Sequence, residues 1–247
     1  MKSIEVHSVD QYIREILGLD RDTSDFCIFR GQRVKAPLTP SIARYDNAER
    51  IPSIEQRMLA DLRRMGKMLI GSAVSDDWEL LILAQHYGLK TRLLDWSSNP
   101  LVALFFAIRD IDDSQNPSYV YAFRGSDRQV FDKENSLAGQ ANRSPFEIDE
   151  LKVLRPSMNN ERIIAQSGWF TVHPYDEARK KFIPMDQDEE IRSSVTEFVI
   201  KAGIKARLIE DLNMLGFNAQ TMFPELTGLC HYLNWQYLRA PQLAAAR

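Results

Sequence analysis

The sequence predicts an α+β fold: a single domain with a mixed or antiparallel central sheet flanked by helices. Three observations predict it. Short runs of strand formers are scattered among helical stripes without a regular βαβ beat. No glycine pattern of a dinucleotide- or phosphate-binding loop argues for a doubly wound parallel sheet. No Gly/Ser-rich linker, low-complexity tract or repeat divides the 247 residues, 44% of which are hydrophobic and sufficient for one core.

Along the chain, Val9 to Leu19 reads as a short amphipathic helix, and Phe26 to Phe29 is an apolar run of strand length that turns polar at once. After a stretch punctuated by Pro37, Pro40 and Pro52, the residues Met58, Leu59, Leu62, Met65 and Leu69 recur at helical spacing, with the methionines read as core filler. Trp78 to Tyr87 also has helical character and stops near Gly88. Asn99-Pro100 reads as an N-cap followed by proline at the first helical position, opening a buried helix over Leu101 to Ile108. Tyr119 to Phe123, Ile163 to Val172 and Glu197 to Ile200 have strand composition. Ile204, Leu208, Leu212 and Leu215 then form a helical stripe ending at Gly216, and a last helix is expected around Leu226 to Leu238.

Formal charge is -3, from 31 basic and 34 acidic residues, so no global positive excess marks a nucleic-acid or membrane-surface protein. Cys27 and Cys230 lie far apart, and the opening MKSIEVHSVDQYIREILG lacks the apolar core of a signal peptide; a reducing, cytoplasmic setting is expected. The longest apolar run is about half of the roughly 20 residues that span a bilayer, so no membrane partner is expected. His7, His86, His173 and His231 are not spaced as metal ligands, and no nucleophile elbow is present.

Three segments carry polar chemistry. In Phe29-Arg30-Gly31-Gln32 an arginine follows an apolar strand, and a glycine lets another backbone or a ligand approach; the arrangement fits an anion clamp, or an arginine paired to a carboxylate beside a turn. The run from Gln85 to Pro100 is denser, with His86, Thr91, Arg92, Asp95, Trp96, Ser97 and Ser98 directly ahead of a helix whose N-terminal amides can receive an anion. So many donors and acceptors either satisfy one another, Asp95 holding Arg92 for example, or converge on a ligand. In the third segment, Glu161, Arg162 and Gln166 enter a stretch of strand formers, facing either a cleft or solvent from an edge strand.

Together these segments resemble the FRG domain family, named for the tripeptide found here at Phe29-Arg30-Gly31. The resemblance runs through Gln85-His86-Tyr87-Gly88, Thr91 to Trp96 and Asn99 to Ala107. It continues with Arg162, Gln166, Gly168 and Phe170, then Leu215-Gly216-Phe217 and Phe223 to Leu226. It places the FRG domain over 25–238, with a helical lead-in over 1–24 and a tail over 239–247. The family occurs in bacteria and phage, and membership by itself names no mechanism.

A fainter similarity is to ADP-ribosyltransferases of the Arg-Ser-Glu type, which place an arginine on an early strand, a serine on a strand leading into an Ala/Phe-rich helix, and a glutamate ahead of a Phe-x-Val strand. It implies Arg30 in the first role, Ser97 or Ser98 in the second and Glu161, ahead of Phe170-Thr171-Val172, in the third. NAD would then be a co-substrate, its nicotinamide bond cleaved beside a carboxylate, with a protein or nucleic-acid target and a toxin or defence role. On this reading Glu161, His86 and Arg30 are the candidate catalytic residues, and Arg30, Gly31, Gln32, Thr91, Arg92, Asp95, Ser97, Ser98 and Gln166 the candidate NAD-binding residues, with no metal. Gln166 is as characteristic of the third segment as Glu161, and no second acidic residue follows Glu161 at the spacing of that superfamily. A competing reading is a non-catalytic module gripping a nucleotide or nucleic-acid anion through Arg30, His86 and Arg92; a third is a phosphodiester-processing enzyme using His86 as general acid or base. The readings share one requirement, that these side chains meet in one cavity.

Overall fold

The computed structural model describes residues 1–19, 25–45, 48–70, 74, 76–110, 115–131, 144–157 and 160–240. Most of the predicted tail, 241–247, lies outside the described residues. The elements run β1 (Lys2–Val6), α1 (Val9–Leu17), β2 (Phe26–Gln32), α2 (Ile51–Met65), α3 (Lys67–Ile70), α4 (Asp77–His86), β3 (Leu93–Ser97) and α5 (Pro100–Ile108). There follow β4 (Ser118–Gly125), β5 (Val130–Phe131), β6 (Lys152–Leu154), α6 (Glu161–Ala165), β7 (Gly168–Val172), β8 (Tyr175–Asp176), β9 (Lys181–Phe182) and β10 (Val195–Ile200). The chain closes with α7 (Lys205–Met214), α8 (Ala219–Met222) and α9 (Leu226–Asn234), which passes into a π-helical turn over Trp235–Arg239.

Eight strands form one mixed sheet in the order β1-β10-β4-β2-β3-β7-β6-β5, and β8 pairs with β9 apart from it. The pairs β1/β10 and β5/β6 are parallel and the remaining neighbours antiparallel, the α+β arrangement that the irregular alternation predicts. The N-terminal segment is not helical alone: Lys2–Val6 is an edge strand of the same sheet.

The helix α5 is apolar on nearly all sides and buried, as such a helix must be. The Asn99 side chain accepts from the Leu101 amide and Pro100 opens the helix. It lies against β2, and Gly31 makes the close approach feasible: a Cβ there would fall on the Ala103 carbonyl oxygen and lie 2.6 Å from the Ala107 amide nitrogen. Around this contact Tyr12, Phe29, Leu104, Val120, Phe198 and Leu208 build the largest core cluster. The opposite face of the sheet buries Ile28, Leu94, Trp96 and Phe123, while Trp78 and Leu81 of α4 pack with Leu93 and Phe170 in a third cluster.

Two sequence expectations are corrected. Ile163 to Val172 is not one strand: the Asn160 side chain caps α6 by accepting from Arg162 N, and the chain turns through Ser167, at φ 47°, before β7 begins. The paired isoleucines read as strand formers, but the local N-cap decides. On α2 the expected stripe holds at Leu59, which is buried, and at Met58 and Leu62, which pack half-buried against core clusters, but it fails beyond them, where Met65 is 74% exposed and Leu69, on α3, is 92% exposed; the inward face also takes in Ile51 and Glu55. A buried glutamate shifts that face and is invisible to hydrophobic periodicity.

Candidate functional site

The site originates in an incomplete seam of the sheet. The strand β2 pairs with β4 along seven residues and β3 with β7 along five, but β2 and β3 share a single bridge, Phe29 to Ser97. Beyond it the strands part, and Arg30 spans the opening: its Nη1 donates to the Asp95 carbonyl at 2.8 Å, with the carboxylate 3.9 Å away. Here lies a cleft of about 480 Å³, bounded by the end of β2, the C-terminal residues of α4, the face of α5 and the segment from Arg162 to Phe170.

Seven of the predicted residues line this cleft: Arg30, Gly31, Gln32, His86, Asp95, Ser97 and Gln166. Their partners differ. The Asp95 carboxylate accepts both contacts of the Gln85 amide, at 3.1 and 3.2 Å, and Thr91 Oγ1 donates to Gln85 Oε1 at 2.7 Å. Thr91 is thus buried behind the site as a positioning residue and does not face the cleft. The Ser97 hydroxyl donates to the Gln166 carbonyl at 2.7 Å and accepts from Asn99 N at 3.0 Å. Gln166 in turn donates to the Met222 carbonyl, anchoring α8.

Arg92, Ser98 and Glu161 are not among the cleft residues. Arg92 is fully internal: its Nε meets Glu55 at 2.9 Å, its backbone amide donates to the other Glu55 oxygen at 2.6 Å, and its Nη1 donates to the Pro145 carbonyl. It does not pair with Asp95. Ser98 is exposed and tied through its amide to the Ser167 carbonyl. Glu161 is exposed in the first turn of α6, whereas the next residue, Arg162, faces the cleft. The start of α5 offers no free anion site at Leu101 N, since Asn99 occupies it.

The electrostatics are one-sided. Arg30, Arg33, Arg44, Arg109 and Arg162 line the cleft against Asp95 as its one acidic lining residue. Burial lowers the pKa of Arg30, Asp95 opposes the shift and Arg44 adds to it. The His86 pKa is lowered, first by burial and then by Arg162, with Glu225 acting the other way. Arg33 and Arg109 share Asp110, at 3.1 and 3.7 Å, while no carboxylate among the described residues pairs with Arg44 or Arg162. Arg162 instead lies over the Phe223 ring at 4.7 Å. Two polar groups of the cleft lining have no hydrogen-bond partner among the described residues: Arg30 Nε, and both ends of the Gln32 amide, whose residue is only 7% exposed. A buried amide without partners is costly and marks a place where a ligand or water supplies them. Sequence reasoning missed Arg33, which directly follows the Phe29–Gln32 segment, and Arg44 and Arg109, single arginines that only the topology brings to the cleft.

Behind the cleft, Trp96 Nε1 donates to Thr171 Oγ1 at 2.9 Å, which lies 3.0 Å from His173 Nε2. Burial, aided by Arg30, holds His173 down to about 3. Because the unfolded chain takes up this proton near pH 6.5 and the folded protein does not, stability is expected to fall as pH drops below about 6.5, by at most about 1.4 kcal/mol per pH unit. His173→Gln should flatten that acid limb in urea titrations at pH 7, 6 and 5; an unchanged slope would exclude His173 as its source.

Among the described residues no group of three or more His, Cys, Asp or Glu side chains could hold a metal ion, and no helix is long and apolar enough to cross a membrane. Residues 25–116 match the family model of the FRG domain, a span from β2 to just before β4 that contains the tripeptide, the Gln85–Gly88 block and α5. The match stops short of the wider span expected from the sequence. No curated protein and no solved structure matches the chain.

Proposed function

We propose that this FRG-domain chain uses the seam between β2 and β3 to grip a phosphate-bearing ligand of the nucleotide or nucleic-acid class, without turnover. The observation that carries the reading is the concentration of five guanidinium groups and His86 around one cleft whose single lining carboxylate, Asp95, is already hydrogen-bonded by Gln85 and lies 3.9 Å from Arg30 Nη1. Guanidinium forks match phosphate oxygens in pairs, and a partly enclosed site screens the attraction less than open solvent does. The Gln32 amide adds a neutral donor and acceptor on the same wall.

The binding reading is preferred over an NAD-consuming transferase or glycohydrolase because the glutamate that such chemistry would use, Glu161, is outside the cleft. Arg162 takes the role first expected of Arg92. Calorimetric titration with pyrophosphate tests the proposal. Affinity should fall steeply with added salt, and Arg162→Ala and Arg44→Ala should each weaken it about 10-fold or more, the worth of a hydrogen bond to a charged group. Wild-type protein incubated with NAD should release no nicotinamide. Release that Asp95→Asn abolishes would overturn the non-catalytic reading, and absence of any pyrophosphate binding would overturn the site itself.

A further inference from the structure

A second cavity, of about 730 Å³, opens beside the first against α8, α9 and the π-helical turn, within the usual range for small-molecule sites of about 300–1,000 Å³. The two are joined. Arg109 and Arg162 line both, and the ring of Phe223 lies between them, 5.4 Å from one guanidinium and 4.7 Å from the other. Their charge balance differs: Asp110 and Glu225 accompany the arginines of the second cavity, where Asp95 alone does so in the first. The second cavity therefore suits an uncharged group better than another phosphate. Its walls are aromatic, with Tyr232 and Trp235 stacked at 6.3 Å, and the Trp235 indole Nε1 is buried with no hydrogen-bond partner among the described residues. An indole N–H is a donor only, so an acceptor atom of a bound molecule would satisfy it.

We infer that this cavity takes the aromatic base of the same ligand, stacked on the Tyr232–Trp235 wall and accepting from Trp235 Nε1, with its phosphates held on the Arg109–Arg162 ridge. The inference rests on the phosphate-binding reading and deepens it by giving the base of that ligand its own chamber. A bare phosphate ester would leave the aromatic chamber unused. Stacking supplies affinity with little base selectivity, and Trp235 Nε1 supplies the discrimination.

The probes are pyrophosphate and ADP, titrated into wild-type protein and Trp235→Phe. ADP is expected to bind wild type at least about 10-fold more tightly than pyrophosphate, the worth of one stacked ring. Trp235→Phe should shrink that ratio while leaving pyrophosphate affinity unchanged, which also reports that the variant is folded. Photolabelling of wild type with 8-azido-ADP, independent of any variant, should mark peptides within 223–239. Equal affinity of ADP and pyrophosphate, or labelling confined to other peptides, would overturn the inference while leaving the phosphate site intact. Failure of pyrophosphate itself to bind would remove both.

Discussion

Replacing Glu55 by Gln is expected to destabilise the protein by about 3–5 kcal/mol, the cost of leaving a buried charge without its counter-ion. The side chains of Glu55 and Arg92 are 1% and 2% exposed, so water cannot take over the role of the missing carboxylate. The pair is not thereby a net source of stability. Burial raises the pKa of Glu55 although Arg92 pulls it the other way, so desolvation outweighs the attraction. The double substitution Glu55→Met with Arg92→Leu should therefore cost less than Glu55→Gln alone. Denaturant midpoints of the two variants decide the matter, and a double variant less stable than the single would show the pair to be stabilising. The consequence reaches the cleft, because Arg92 leads directly into β3 and its neighbour Thr91 positions Gln85 on Asp95.

Gly31→Ala is expected to have an effect of comparable size, above the about 1–3 kcal/mol usual for overpacking, because the added methyl meets backbone that cannot rotate away. Its obstacles are the Ala103 carbonyl and the Ala107 amide. A second substitution, Ala103→Gly, removes only a side chain and should not restore stability. Thermal unfolding of the single and double variants tests this. Recovery in the double variant would mean that the clash is with the Ala103 methyl and that the backbone contact is looser.

The glycine was legible in the sequence as a point of close approach, though the partner it admits is α5 and not a ligand. The apolar α5, its Asn99 cap and the strands around Tyr119 and Phe198 were equally legible, because each is encoded by local pattern. What failed was of two kinds. Glu55 and Arg92 satisfy each other across 37 positions, and a buried ion pair leaves no periodic trace. Glu161 and Arg162 are neighbours whose fates a helical turn separates, so reading the stretch as a strand could not choose between them. The arginines at 33, 44 and 109 join the cleft only because β2, the segment after it and the end of α5 converge, a fact of topology.

The lone bridge between Phe29 and Ser97 divides the sheet into two leaves of four strands each, riveted at one point. Across the gap the guanidinium of Arg30 acts as a tie rod, reaching the main chain of the opposite leaf. Stiffness at this junction then depends on side chains more than on the ladder of amides that stiffens the rest of the sheet. A molecule lodged there would brace the two leaves against each other, and its loss would leave Arg30 as the strut beside the rivet.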